Sequence, residues 1–436
     1  MAFQQGLSGL KASSKALDVV GNNVANSSTV GFKSSNGHFA DVYAASLNGL
    51  AGSQVGIGTQ LAAVFQQFTQ GNITATNNPL DIAINGGGFF NVTRDGTLFY
   101  TRNGQFHNDN DGYIINDQNY RLMGYIASPE GVILPSQPEE IRINSGNIEP
   151  RPTGSDLAGN VRMVLNLDSS KSEPTTIPFN YQNPLTYTYS TAQTFYDTLG
   201  VEHNVTYFFV KQPVPTPPPA TPQGEWDVWA TLDGANPEPV GTPAGPNRGG
   251  LLTFDANGML QMPRSLALPT TWNITTGAAT PLGTDVAGPL PYWEIDFTGT
   301  TNFSGESTVN SQYQGGYGQG TLSSVSISDR GIVLGNYSNG QAKVLAQVVL
   351  STFPNMNGLI DMGNNLLQMT SASGEGLVGV PGAGARGVLR ATAVEESNVD
   401  LTDELVNMIT LQRNYQANAQ TIKTQDQIMQ TLVNMR

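Results

Sequence analysis

Three histidines, His38, His107 and His203, are the side chains best suited to hold a metal or move a proton near neutral pH. They lie in separate parts of a 436-residue chain that contains no cysteine. Zinc needs His and Cys ligands at short, convergent spacing, so local sequence assembles no zinc site. Without cysteine there is no disulfide framework and no thiol chemistry. No G-x-S-x-G elbow and no G-x-x-x-x-G-K loop occurs. Gly86-Gly87-Gly88 follows an apolar run, as a phosphate loop would, but Phe89 and Phe90 continue a strand. The helix N-terminus that would hold a phosphate is missing, and a tight turn is expected instead. Asp109-Asn110-Asp111-Gly112 resembles part of a calcium loop, yet its first and twelfth positions in register are His107 and Gln118. Both anchoring carboxylates are therefore absent. The 34 Asp and Glu residues could include paired acids for glycoside hydrolysis, but nothing singles out a pair. The reading is a non-enzyme without catalytic, cofactor-binding or metal residues.

The strongest patterns are those that position whole elements. Phe3, Leu7, Leu10, Ser14, Leu17 and Val24 recur at alternating four- and three-residue steps, interrupted only at Gly21. Leu401, Leu405, Met408, Gln412, Tyr415, Ala419, Ile422, Asp426, Met429 and Val433 repeat the spacing at the other end. Such a narrow row is a coiled-coil seam rather than a broad apolar face. No Gly or Pro interrupts Asp400 to Arg436, and Ser397-Asn398-Val399-Asp400 has capping-box character just before it. Two terminal helices are expected, pairing with each other, with copies of themselves, or both. Outside its seam the C-terminal helix shows Asn414, Gln416, Asn418, Gln420, Thr421, Gln425, Gln427 and Gln430. A solitary soluble helix more often carries Glu and Lys there. Neutral amides both donate and accept, which suits a neighbouring subunit or a wet channel wall.

Between the helices the texture changes to short strands and turns. Leu80–Ile84, Phe89–Val92, Tyr113–Ile115, Val325–Ile327, Ile332–Leu334 and Ala346–Phe353 read as strands. Asp95-Gly96, Asn103-Gly104, Asp111-Gly112, Asp329-Arg330-Gly331 and Asn339-Gly340 read as turns between them. Val205–Lys211 and Glu225–Leu232 read as a further strand pair, with the Pro-rich stretch 212–222 as a stiff exposed loop between them. The expectation is a multidomain, mainly β chain with one helical coiled-coil domain. Residues 1–27 and 397–436 form that helical domain, and 28–70 with 366–396 a connector holding one or two short strands or hairpins. Residues 71–146 with 318–365 form an inner β-domain, and 147–317 an inserted outer β-domain.

Charge narrows the partners. Charged residues are only 12% of the chain and the net charge is −14. Residues 1–70 carry three lysines against two aspartates, and 397–436 three basic against four acidic residues, so the middle holds the acidity. Near-neutral ends can crowd together in many copies, while an acidic middle keeps the particle soluble. An acidic chain repels phosphate, so nucleic acid is not an expected partner. No apolar run is long enough to span a bilayer, and the first residues lack the basic and apolar regions of a Sec signal peptide.

Two stretches carry a resemblance. Leu17-Asp-Val-Val-Gly-Asn-Asn-Val-Ala-Asn-Ser-Ser-Thr-Val-Gly-Phe-Lys33 is similar to the L-D-V-x-x-N-N-x-A-N-x-x-T-x-G-F-K signature of the bacterial flagellar rod and hook family. Its marked positions here are Asn22, Asn23, Asn26, Gly31 and Phe32. The run from Glu404 to Ile428, preceded by Glu396-Ser-Asn-Val-Asp400, resembles the family's C-terminal helix. Weaker matches run through Leu80–Phe90, Tyr100–Phe106 and Gly335–Asn339. The large insertion, with Arg413–Gln416 and Gln420–Gln427, resembles the hook branch rather than the shorter distal rod subunits. That resemblance implies a subunit of a short, curved, flexible tube acting as a universal joint between rod and filament. It also implies export through the flagellar type III apparatus without a cleaved signal, an extracellular site in the hook, and no cofactor or membrane insertion. The implied partners are further copies of the chain, a distal rod protein, a hook cap protein and a hook–filament junction protein. The assembly residues it points to are the helical seams, Phe3, Leu7, Leu10, Leu17 and Val24 with Leu401, Leu405, Met408, Tyr415, Ile422 and Met429. Two other readings stand beside it, a distal rod subunit and a secreted β-rich hydrolase or adhesin.

Overall fold

The computed structural model describes the chain apart from residues 1, 43–55, 130, 145, 154–160, 214–223, 242, 244–246, 262, 269–293 and 436. It divides into two compact units. One comprises 1–145, 323–336 and 342–436, and the other 146–322 with 337–341.

The first unit is built from the two ends of the chain. Helix α1 spans Ala2–Ala25 and helix α2 spans Leu401–Asn434. At about 1.5 Å per residue the 34 residues of α2 extend about 51 Å. Its N-cap is Asp400, whose carboxylate accepts from the backbone N–H groups of Thr402 (2.8 Å) and Asp403 (3.2 Å). The cap thus falls at the end of the expected Ser397–Asp400 signal. Ser397 instead accepts from the Val399 N–H, and Asn398 is used elsewhere. Strands Ser35–Val42 and Gly58–Gln66 pair antiparallel as a long hairpin. The main sheet interleaves segments far apart in sequence, in the order Leu322–Ile327, Ile332–Tyr337, Ala342–Val348, Arg121–Ile126, Phe89–Arg94, Thr97–Thr101, Leu366–Gln368 and Ile360–Asp361. Two short ladders then bring the chain back beside its beginning. Val388–Ala391 pairs with Ile82–Asn85, and Ala393–Glu395 with Ile73–Ala75.

Turn chemistry follows the sequence at most of the expected places. Asp95 and Gly96 both take positive φ, 53° and 77°, which a two-residue hairpin of this hand requires. The Asp109 carboxylate accepts from the N–H groups of Asp111 and Tyr113, so the stretch resembling a calcium loop is a self-closed Asx turn. Asn103-Gly104 is not a hairpin. Ile82 N–H donates to the Gly104 carbonyl, and a Cβ on Gly104 would overlap the Ile82 carbonyl oxygen, so glycine is needed there for close backbone approach.

The second unit stacks two sheets. Tyr189–Tyr196, Glu202–Lys211, Gly224–Leu232 and Ala235–Pro239 are neighbours in one, with Gly250–Phe254 also on Gly224–Leu232. In the other, Val161–Asn166 lies parallel to Glu294–Asp296 and antiparallel to Thr308–Tyr313. Alternate residues Val161, Met163 and Leu165 point inward and meet Phe195, Tyr207, Phe209, Trp226 and Phe254 in one buried core. Burying each large apolar side chain contributes about 1.5–3 kcal/mol. Of the Pro-rich stretch, residues 214–222 lie outside the described residues. The strands flanking it, Glu202–Lys211 and Gly224–Leu232, pair with each other.

Candidate assembly site at the joined chain ends

The terminal helices run antiparallel. Asn23 lies against Glu404, Ser13 against Asn418 and Gly6 against Ile422. Residues beyond about 426 therefore run past the start of α1. The row of α1 that meets α2 is Gly6, Gly9, Ser13, Ala16 and Asn23, which is buried apart from the half-buried Gly9. Within one chain the contact row sits one residue, about 100° of helical rotation, from Leu7, Leu10, Leu17 and Val24. The cause is size. A Cβ on Gly6 would lie 3.2 Å from Ile422 Cγ1, and one on Gly9 2.9 Å from Asn418 Oδ1, so small residues set the spacing of the helices. Leu10, Leu17 and Val24 flank the contact half-buried, and Leu7 is exposed. The Phe3 side chain lies outside the described residues. Helix α1 is also held from its other side. The Gln5 side-chain amide donates to the Gly56 carbonyl at 2.6 Å, and Thr59 N–H to Ser8 Oγ at 3.3 Å.

Helix α2 has fewer neighbours. Met408 and Ile422 are half-buried toward α1, as are Glu404, Leu411 and Asn418. The other expected positions are open, with Leu401 46%, Leu405 43%, Tyr415 38% and Met429 60% exposed. Val406, Ile409, Ile428 and Val433 are exposed as well. Apolar side chains this open along one helix form a surface that monomeric proteins rarely leave uncovered.

A buried polar clasp ties these helices to the strands. Lys33 and Arg102 converge on Glu395, at 2.6 Å to Oε1 and 3.1 Å to Oε2. All three side chains are at most 4% exposed. Glu395 Oε1 also accepts from Gly71 N–H, Lys33 donates to the Thr69 carbonyl, and Arg102 donates to the Gly86 carbonyl while lying over the Phe89 ring. Burial pushes the Lys33 ammonium and the Arg102 guanidinium below their ordinary pKa values, and the Glu395 carboxylate opposes that shift. Beside the triad, the Asn23 amide donates to the Ser35 carbonyl and to Glu404, and its oxygen accepts from Ser35 N–H. Asn398 accepts from Ser34 N–H and donates to the Gln67 carbonyl, both at 2.7 Å. Gly31 has φ 73°, and a Cβ there would lie 2.6 Å from the Asn103 nitrogen, so no other residue fits. Asn22 and Asn26 bond to each other, Asn26 accepts from Thr29, and Phe32 lies half-buried beside Lys33.

The motif residues therefore gather in one place, while the apolar seam residues are spread along two helices. The sequence reading missed Lys33, Arg102 and Glu395 as a group, as well as Val406 and Ile409. Lys33 and Arg102 do lie inside quoted motif stretches. Among the described residues no group of His, Asp and Glu is arranged to hold a metal, and no helix is long and apolar enough to cross a membrane.

Comparison with known proteins agrees along the whole chain. Residues 3–33 match the family described as flagella basal body rod protein, and 83–149 the flagellar hook protein FlgE/F/G D1 domain. Residues 166–317 match the flagellar basal body protein FlaE D2 domain, and 390–435 the flagellar basal body rod FlgEFG protein C-terminal family. The chain is 40% identical to the flagellar hook protein FlgE of Escherichia coli over 439 residues, covering 100% of both. It is 30% identical to the flagellar hook protein FlgE of Borreliella burgdorferi, covering 100% of this chain and 99% of the other. A solved Helicobacter pylori flagellar hook protein FlgE2 aligns with TM-score 0.47 at 12% identity, covering 74% of this chain and 100% of that one, a likeness too distant to carry an argument.

Proposed function

We propose, from the premise that the chain belongs to the flagellar hook protein family and is a structural subunit of the hook rather than an enzyme, that its copies join through the uncovered apolar face of α2. That membership favours neither a distal rod subunit nor a secreted β-rich hydrolase or adhesin. The observation that carries the reading is the exposure of Leu401, Leu405, Val406 and Ile409 on a helix that one partner helix covers on a single side. In water such a face is satisfied by more protein. Where such a contact is head-to-tail and its rotation does not close, repeated addition makes a helical tube. The seam residues Leu7, Leu10, Leu17 and Val24 flank the same pair and would join that inter-subunit packing. The buried clasp at Glu395 has a different task, fixing the direction in which the helices leave the strands so that every copy presents the same face.

Family membership supports a finer proposal. The tube is a curved, flexible universal joint carrying torque from rod to filament, outside the cell. Its neighbours are a distal rod protein at one end and a junction protein at the other, with growth beneath a hook cap after type III export. Negative-stain microscopy of the purified chain under polymerising conditions tests the core claim. Curved tubes are expected, and none from Leu405→Asp, which places an unpaired charge in the apolar face. Normal tubes from that variant would remove α2 from the contact, and straight tubes from the native chain would mark a rod subunit.

A further inference from the structure

His203 sits in the inserted unit, far in sequence from the helices, and is held by two carboxylates on opposite sides of its ring. It lies in strand Glu202–Lys211, paired with Phe195 of Tyr189–Tyr196, and its side chain is 4% exposed. Nδ1 lies 2.8 Å from Asp233 Oδ2, and Nε2 lies 3.5 Å from Asp197 Oδ2. Each aspartate uses its other oxygen to accept from backbone, Asp197 within its own turn and Asp233 across to the neighbouring strand. Asp197 Oδ1 accepts from the N–H groups of Leu199 and Val201, and Asp233 Oδ1 from that of Asn204. The Asp197 side chain is fully buried, and its Oδ2, like His203 Nε2, has no hydrogen-bond partner. Because the carboxylates face opposite ring nitrogens, they cannot converge on one metal ion.

A neutral imidazole has a single N–H and satisfies one side only, whereas an imidazolium donates on both. A buried carboxylate oxygen without a partner is costly. We propose that His203 is a pH-sensitive clasp between two turns of the inserted unit, 197–201 and 233–234, closed on both sides only as the imidazolium. Of the other charged groups on the same strand, Glu202 accepts from the Tyr196 hydroxyl and Lys211 donates to the Ser169 and Lys171 carbonyls, so neither faces the ring. Among the described residues only Asp197 and Asp233 form ion pairs with His203. The bonded form is the protonated one, so the stabilisation is present at the acid end and is lost as pH rises.

Trp226 and Trp229 lie on strand Gly224–Leu232 of this unit, and the other two tryptophans fall between residues 146 and 322 of the sequence, so tryptophan fluorescence of the full chain reports on this unit. The unfolding constant is expected to rise several-fold from pH 5.5 to pH 8 in the native chain, and the rise to vanish in His203→Gln. Asp197→Asn, which keeps the turn-closing oxygen but removes the charge, should flatten the same dependence and serves if His203→Gln does not fold. An equal pH dependence in native and variant chains overturns the clasp. So does an imidazole nitrogen spectrum of the folded native chain showing a single N–H on His203 at pH 5.5.

Discussion

The inserted unit and the joined helices treat apolar side chains in opposite ways. In the inserted unit Phe195, Tyr207, Phe209, Trp226 and Phe254 are wholly buried between two sheets. On α2 many apolar residues stay open, with Met408, Leu411 and Ile422 half-buried toward α1, and α1 presents to that contact a row of Gly, Ser, Ala and Asn. One region is finished within a single chain. The other holds itself in place with small and polar contacts and keeps its large apolar groups for something else. Stability and assembly can therefore be separated along the chain, and substitutions in the two regions should have different signatures.

The largest expected effect comes from deleting either region. Removing residues 401–436 should abolish tubes while the tryptophan-reported unfolding of the inserted unit stays unchanged, because that unit closes its own core. Replacing 146–322 with a short Gly/Ser linker should leave tubes that are straighter. The packings an outer domain selects among differ by only about a few kcal/mol. Curvature by microscopy decides this. Loss of tubes from the excised chain, with its remaining strands folded, would move the assembly contacts into the inserted unit and break the contrast.

Next come two single substitutions of similar size in the two units. Glu395→Gln leaves Lys33 and Arg102 buried without a counter-charge and should cost about 3–5 kcal/mol. Glu396→Gln, at the exposed neighbour bonded to Asn72, should stay within about 0.5 kcal/mol. Trp226→Ala should also cost about 3–5 kcal/mol, but in the inserted unit. Denaturant titrations read by circular dichroism and by tryptophan fluorescence separate the two. The Glu395 effect should be absent from the fluorescence transition. If it appears there, the units do not unfold independently.

The sequence reveals the elements more readily than their contacts. Apolar residues every three or four positions, with no Gly or Pro after Asp400, announce α2, and Asp95-Gly96 announces its hairpin. The row of α1 that meets α2 was not legible, because Gly6, Gly9, Ser13 and Ala16 give no hydrophobic signal. Leucine spacing marked the flank of that contact instead. The clasp was hidden for another reason. Glu395 is 362 residues from Lys33 and 293 from Arg102, and isolated charges ordinarily read as solvent-exposed. Asn103-Gly104 misled because the glycine answers to the Ile82 carbonyl across the fold, not to a local turn.

The smallest expected effect probes what the open helix faces are for. Gly21 lies in the interior of α1, and a Cβ built on it meets nothing within 4 Å. Glycine there costs about 1 kcal/mol of helix stability relative to alanine, with no packing inside one chain to explain it. Gly21→Ala should therefore raise the helical content and stability of the isolated chain by about that amount, measured by circular dichroism on thermal melting. If α1 is also satisfied within the single chain, the variant should polymerise as well as the native protein or better. If a neighbouring copy approaches the backbone at Gly21, the added methyl should slow tube growth even as it stabilises the monomer. The opposed outcome, a more stable subunit that assembles less well, is the one expected from helices whose small residues already set a close spacing at Gly6 and Gly9. Equal gains in both measurements would confine the assembly contact to α2.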